Sequence, residues 1–189
     1  VPLAFDHALA SALEQRIAFV SGTTGLGAEQ HAAMAAAAAM IPVLWSANFS
    51  LGAAVLAQLA AIAARTLPGW DCTIAESHHR SKKDAPSGTA LALGRAVASA
   101  RGQEFDAVAN PNDVARGDGG IGFAVTRAGD IVGEHTVLLA ATGERIELTH
   151  RATNRDIFAH GAMTATAWLA HQPAGIYTLA DVLAGASKP

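Results

Sequence analysis

RIAFVSGTTGLGAEQHAAMAAAAAMIPVLWSANFSLGAAVLAQLAAIAART, residues 16–66, holds the pattern from which the architecture follows. Arg16–Val20 is a short apolar run ending in Ser21-Gly22-Thr23-Thr24-Gly25, which reads as a buried strand and a Gly-rich turn. Ala28–Met40 is Ala-rich, and Ala is the best helix former. Pro42–Trp45 reads as a second buried strand. Ser46-Ala47-Asn48-Phe49-Ser50 follows, with Ser50 placed to cap the next helix. That helix runs to Arg65, carries Val55, Leu59 and Ile62 on one face, and stops at Pro68-Gly69. Strand, helix, strand, helix is the unit of a parallel, doubly wound sheet. Ligands of such sheets bind beyond the carboxyl ends of the strands, where the turns at Gly22 and Ala47 fall. The turn Ser21–Gly25 either cradles part of a nucleotide or simply joins strand to helix. It is not a G-x-G-x-x-G or Walker loop, so spacing alone favours the plain turn.

Further along, the pattern changes. Trp70–Ser77 reads as a strand and Ser87–Ala100 as a helix that Ser87 caps after Pro86. Gln103–Gly120 is a polar loop rich in Gly and Asp. Ile121–Arg127, Ile131–Ala140 and Glu144–His150 are strand-like, the last two joined by Ala141-Thr142-Gly143, a hairpin signal. Phe158–Leu169 reads as another helix. Hairpins with helices beside them predict an α+β layer.

Composition narrows the function classes. The chain has 189 residues, 51% hydrophobic and 15% charged, which excludes intrinsic disorder. Thirteen basic against sixteen acidic residues give a net charge of -3, whereas a nucleic-acid binder carries a basic surplus. No apolar run is long enough to cross a membrane. With one cysteine, Cys72, no internal disulfide forms, which fits a reducing cytoplasm.

The densest chemistry lies in Glu76–Thr89, ESHHRSKKDAPSGT. Two histidines and three basic side chains run directly into Pro-Ser-Gly-Thr at a helix start. The free N–H groups and dipole of such an N-terminus attract anions. Gly88 lets a ligand approach the backbone and Thr89 adds a hydroxyl. This predicts a pocket for a small acid with more than one carboxylate, in which a histidine donates a proton. A solvated basic loop before an ordinary helix cap is the alternative. His78, His79, His135 and His150, with Glu134, are potential metal ligands, but none shows a spacing such as H-E-x-x-H, so no metal is expected. Nothing pairs Cys72 with a base, and no G-x-S-x-G occurs. Arg155 and Phe158 read as a helix entry and a core aromatic.

ESHHRSKKDAPSGTA, Glu76–Ala90, resembles the signature E-x-H-H-x-x-K-x-D-A-P-S-G-T-A of the 4-hydroxy-tetrahydrodipicolinate reductase family (formerly dihydrodipicolinate reductase), with every fixed position present. VSGTTGL at Val20–Leu26, SANFSLG at Ser46–Gly52, RAGDIVGEHTV at Arg127–Val137 and Glu147–Ala162 are also similar to the family, in order and spacing.

The resemblance implies reduction of the cyclic dicarboxylate of the diaminopimelate and lysine pathway with NADH or NADPH. It implies His78 as proton donor and Lys82 as second catalytic group, near the ring nitrogen and carboxylates. His79, Gly88 and Thr89 would hold the substrate carboxylates. Gly22, Thr23, Thr24, Ser46, Ala47, Asn48 and Phe49 would contact the nicotinamide side of the cofactor, with Arg155 and Phe158 as hinge residues near its ring. It further implies a homotetramer built through the substrate-domain sheet, with no nucleic acid or membrane partner. The expected fold is α/β. A partial Rossmann-like parallel sheet (1–49) joins an α+β substrate and oligomerisation domain with a mixed, largely antiparallel sheet (50–155). C-terminal helices (156–189) return to the first part. Val1-Pro2 aligns just after the family's first strands, so its G-x-x-G-x-x-G pyrophosphate loop is not in this sequence. Weak dinucleotide binding and slow or absent turnover by this chain alone are therefore expected, as for an inactive or weakened fragment. The alternative is a non-catalytic dicarboxylate-binding or oligomerisation module derived from the enzyme. The substrate loop Ala107–Gly120 looks shorter than usual, and Lys83 stands where relatives carry an apolar residue.

Overall fold

The computed structural model describes residues 2–105 and 120–186. The element order is α1 (Pro2–Gln15), β1 (Phe19–Ser21), α2 (Ala28–Ala37), β2 (Pro42–Trp45), α3 (Leu51–Thr66), β3 (Asp71–His78), α4 (Gly88–Ala100), β4 (Ile121–Arg127), β5 (Gly133–Ala141), β6 (Glu144–Ala152), α5 (Asp156–Leu169), β7 (Gly175–Tyr177) and α6 (Leu179–Ala186). Most of the polar loop after α4, including nearly all of Ala107–Gly120, lies outside the described residues. The chain divides into two compact units, Val1–Leu51 with Asp156–Pro189, and Gly52–Arg155.

The first unit is built on a parallel sheet of order β1-β2-β7. Phe19 and Val43 sit opposite each other in it and join a core with Phe5, Leu9, Ala12, Met34, Ala37 and Ile41. Phe5, Leu9 and Ala12 recur at helical spacing and form the buried stripe of α1. Helix α1 is absent from the sequence reading, and it changes the reading of Arg16. The backbone of Arg16 turns to φ 52°, and Ile17 N–H bonds the Ala12 carbonyl, so Arg16-Ile17 closes the helix instead of opening the strand. Helix α2 ends at Ala37, short of Met40. Ala39 and Met40 bond back only three residues, tightening the last turn ahead of Pro42.

The second unit carries a mixed sheet of order β4-β3-β5-β6, in which only the β3–β4 pair is parallel. Two parallel neighbours need a crossover, and α4 lies in it. Cys72, Ile74, Phe123, Val137 and Leu139 share one face and pack against Leu56, Ala60 and Ala64 of α3 and Leu93 and Val97 of α4. The Val55/Leu59/Ile62 stripe is the exposed side of α3, 39–52% accessible. Its buried side is made of the smaller Ala53, Ala60 and Ala64 with Leu56, since small side chains let a helix approach its sheet closely. The expected α/β class, with a parallel sheet and a mixed one, is borne out. No helix among the described residues is long and apolar enough to cross a membrane.

Candidate active site

Strand β3 positions the centre of the site. Side chains alternate across a strand, so Cys72, Ile74, Glu76 and His78 share a face. The first two belong to the apolar core, and the last two begin a polar patch at the carboxyl end. Register fills the patch, because Glu76 lies beside His135 of β5 and His78 beside Arg127 of β4.

Glu76 is only 2% exposed, and an isolated carboxylate there would be costly. Its Oε1 accepts from Arg127 Nη2 at 2.9 Å and from the Ser87 backbone N–H at 3.0 Å. Its Oε2 faces His78 Nδ1 at 3.4 Å and His135 Nε2 at 3.7 Å. Burial by itself raises the Glu76 pKa. The nearby His135 and the hydrogen bonds from Ser87 and Arg127 outweigh it and hold the group at about 2. His78 is pushed down to about 4, chiefly by desolvation; Glu76 opposes the shift, and His135, Lys82 and Arg127 add to it. At neutral pH the site therefore holds an ionised Glu76 and a neutral His78.

Ser87 ties the start of α4 to this network. Its Oγ accepts from Ala90 N–H at 3.2 Å, the cap expected from the sequence, and lies 3.2 Å from His135 Nε2. Glu76, His78 and His135 bring potential ligand atoms within 4.8 Å of one another, a grouping that spacing along the chain did not reveal. Arg127 and the Ser87 N–H already balance the carboxylate charge, so the arrangement reads as a polar network around His78.

The other residues implied for the substrate follow directly. His79 Nδ1 and Ser81 Oγ are 2.8 Å apart, and Lys82 N–H closes a turn on the His79 carbonyl. Lys82 Nζ is 2.9 Å from Asp84 Oδ1 and, mainly by that hydrogen bond, holds the Asp84 carboxyl below its ordinary range. Gly88 opens α4 with open space where a Cβ would lie, and half-buried Thr89 follows.

In the first unit, the two turns implied for the cofactor adjoin. Ser21 and Trp45 end neighbouring strands, and Ser46 N–H donates to the Ser21 carbonyl at 3.1 Å. Ser21 Oγ bonds Thr23 Oγ1, and Trp45 Nε1 donates to the Thr23 carbonyl at 2.7 Å. Thr24 precedes Gly25, whose φ is +73°. Ser46 Oγ donates to the Asn48 carbonyl at 2.7 Å, and Asn48 Oδ1 accepts from Ser50 N–H at 2.8 Å. Ala47 is exposed; the Phe49 ring is buried against Gly22. Arg155, exposed, is the last residue of the second unit, and half-buried Phe158 lies in the first turn of α5.

A family description reading "Dihydrodipicolinate reductase, C-terminus" matches residues 52–183, and its counterpart "Dihydrodipicolinate reductase, N-terminus" matches residues 1–49. The chain belongs to the dihydrodipicolinate reductase family. It is 51% identical over 183 residues to 4-hydroxy-tetrahydrodipicolinate reductase of Stenotrophomonas maltophilia (strain R551-3), covering 97% of this chain and 70% of that protein. It is 52% identical over 178 residues to the enzyme of that name from Gluconobacter oxydans (strain 621H), covering 94% and 71%. A solved structure, the dipicolinate-bound dihydrodipicolinate reductase of Paenisporosarcina sp. TG-14, superposes with a TM-score of 0.74 at 25% identity, covering 93% of this chain and 67% of that one. The resemblance carried by Glu76–Ala90 is thereby borne out.

Within this reductase fold, sequence reasoning missed the roles of Glu76, Arg127 and His135. Glu76 had two usable signals, its fixed place at the head of the E-x-H-H pattern and its position two residues before His78 on a strand. Arg127 and His135 come from β4 and β5 and depend on register.

Both large pKa shifts weaken the fold in acid. A folded carboxyl held at about 2 stabilises fully above its ordinary 4.5 and loses that contribution as pH falls through about 2. An unfolded His78 takes up a proton near 6.5 but the folded one only near 4, so acidification through that window favours unfolding. His150, lowered first by burial and then by His135, acts in the same sense. The urea midpoint is expected to fall from pH 6.5 to 4, with His78 contributing on the order of 2–3 kcal/mol. His78→Gln should remove much of that dependence; an unchanged pH profile in the variant would contradict the assignment.

Proposed function

We propose that this chain reduces 4-hydroxy-tetrahydrodipicolinate to tetrahydrodipicolinate with NADH or NADPH, in the diaminopimelate and lysine route of the cytoplasm. The observation that carries the reading is the grouping around the end of β3 and the start of α4. A buried neutral imidazole, a lysine ammonium and a 13-residue helix's N-terminus belong to one segment of the second unit. Two positive features suit two carboxylates, and the imidazole suits a proton transfer. Dipicolinate in the Paenisporosarcina relative is a planar dicarboxylate of this kind.

His78 acts as the proton donor. Desolvation keeps it neutral in the empty site, and a bound dianion supplies the negative charge that favours its protonated form. Lys82 is the second catalytic group and exchanges Asp84 for a substrate carboxylate. His79, Gly88 and Thr89 hold the carboxylates; the open space at Gly88 leaves the helix-end N–H groups accessible. In the first unit, the adjoining turns fit a nicotinamide. Gly22, Thr23, Thr24, Ser46, Ala47, Asn48 and Phe49 present small side chains, hydroxyls and backbone at the carboxyl ends of two parallel strands. Phe49 contributes through its backbone, since its ring lies under Gly22. Arg155 and Phe158 serve as hinge residues where the chain passes between the units. When bound, the nicotinamide supplies the hydride. Assembly is a homotetramer through β4–β6, supported by the sheet face bearing Thr136, Thr149, Glu134 and Arg151, which lies opposite the α3/α4 core.

Calorimetric titration with pyridine-2,6-dicarboxylate tests the reading. The chain is expected to bind it, more tightly with NADH present, and Lys82→Ala is expected to lose binding. No binding in either condition would overturn the proposal. Binding without NADH oxidation by the true substrate would leave a dicarboxylate-binding module.

A further inference from the structure

Glu76 is not itself assigned to substrate or cofactor, yet its buried carboxylate meets Arg127, the Ser87 N–H, His78 and His135. Its two oxygens are treated differently. Oε1 is fixed by Arg127 Nη2 at 2.9 Å and the Ser87 N–H at 3.0 Å. Arg127 is itself held by the Asp84 and Thr126 carbonyls, so the clamp is anchored on three sides. Oε2 is buried without a hydrogen bond, and so is His78 Nδ1, 3.4 Å away. Two buried complementary atoms just beyond bonding distance form a pair that closes when the imidazole becomes cationic, as catalytic hydrogen bonds often do only in the complex. The opposite edge of the ring is accommodated by Gly133, where a Cβ would lie 3.1 Å from His78 Nε2.

We propose that Glu76 is the positioning residue for His78: clamped by Arg127 and Ser87, it turns one oxygen to His78 Nδ1, fixes the ring and supplies the counter-charge with which His78 takes up a proton as a dicarboxylate binds. The inference rests on the reading of His78 as the proton donor. The charged and titratable groups facing His78 are Glu76 on its own strand, Arg127 on β4, His135 on β5 and Lys82 in the following turn, with His150 beyond His135 on β6. Of these, only Glu76 favours the cation; Arg127, His135 and Lys82 oppose it.

Proton uptake on binding separates this role from a merely structural one. Titrating pyridine-2,6-dicarboxylate in buffers of different ionisation enthalpy counts the protons taken up, at pH values above the empty-site pKa of about 4. The wild-type chain is expected to take up protons, and His78→Gln to abolish most of that uptake. In Glu76→Gln the pH of half-maximal uptake should move down by about one unit, while Arg127→Gln should move it up. Opposite shifts from two disruptive substitutions are not what general loosening produces. If Glu76→Gln fails to fold, the upward shift in Arg127→Gln decides. Uptake that depends on His78 but keeps its pH profile in the Glu76 or Arg127 variant overturns this inference and leaves the functional reading standing. A wild-type chain that does not bind the dicarboxylate overturns both.

Discussion

On the proposed roles of the two side chains, Lys82→Ala and His78→Ala are each expected to lower kcat by about 10²-fold or more, the usual contribution of a positioned proton-transfer group. The two losses should differ in kind. The His78 side chain is 10% exposed and held from behind by Glu76, so it offers a substrate one ring edge. On the proposed roles, removing it takes away the proton donor while leaving the carboxylate contacts, so kcat should fall and KM change little. The Lys82 side chain is 21% exposed and already paired with Asp84 at 2.9 Å. Removing it deletes attraction for the bound dianion as well as the catalytic group, and KM should rise as kcat falls. The removal also frees Asp84, whose carboxyl then adds repulsion where a carboxylate should sit. Steady-state NADH consumption by each variant, with fresh substrate generated in situ, separates the two signatures. Wild-type kcat in either variant would remove that residue from the mechanism.

How far this site was legible in the sequence depends on where each residue gets its neighbours. The proposed substrate half lies in one continuous stretch, Glu76–Thr89, and its helix start was readable because a Ser after Pro caps locally: Ser87 Oγ accepts from Ala90 N–H three residues on. Strand β2 was readable to the residue, since a buried parallel strand is a plain apolar run bounded by breakers, here Pro42 and Ser46. Strand β7 was not, because Gly175-Ile176-Tyr177 is only three residues long, too short for a period to show, and owes its state to pairing with β2. The one-face stripe of α3 did not by itself say which side is buried. In an Ala-rich helix the large residues catch the eye, while close packing selects Ala60 and Ala64 for the sheet. The Glu76 network was hidden by register. Arg127 and His135 are far from Glu76 along the chain, and nothing short of the β3–β4 and β3–β5 pairings places them around one carboxylate.

Gly161→Ala should be the most damaging small substitution in the first unit. Local preference points the other way, since Ala in a helix interior is favoured over Gly by about 1 kcal/mol. The tertiary contact reverses the sign. A Cβ on Gly161 would overlap the carbonyl oxygen of Phe49 and crowd its carbonyl carbon at 3.0 Å. Both groups belong to packed backbone, α5 on one side and the turn after β2 on the other, so no rotamer change relieves the overlap. Phe49 cannot simply retreat, because its ring is buried and lies 3.3 Å from where a Cβ on Gly22 would be. Displacing Phe49 therefore disturbs the turn after β1, to which the cofactor contacts are assigned. Overpacking a rigid site costs about 1–3 kcal/mol, and a backbone-to-backbone clash belongs at the upper end. For a chain of this size that is a fall of about 10 °C in Tm. Gly69→Ala, in the turn after α3 of the second unit, is the clash-free control, since nothing lies within 4 Å of its Cβ position, and it should stay within about 0.5 kcal/mol of wild type. Thermal unfolding followed by circular dichroism compares the three chains. A Gly161→Ala chain at least as stable as wild type would mean that α5 does not pack on Phe49 in this way, and the positioning of both cofactor turns would have to be argued anew.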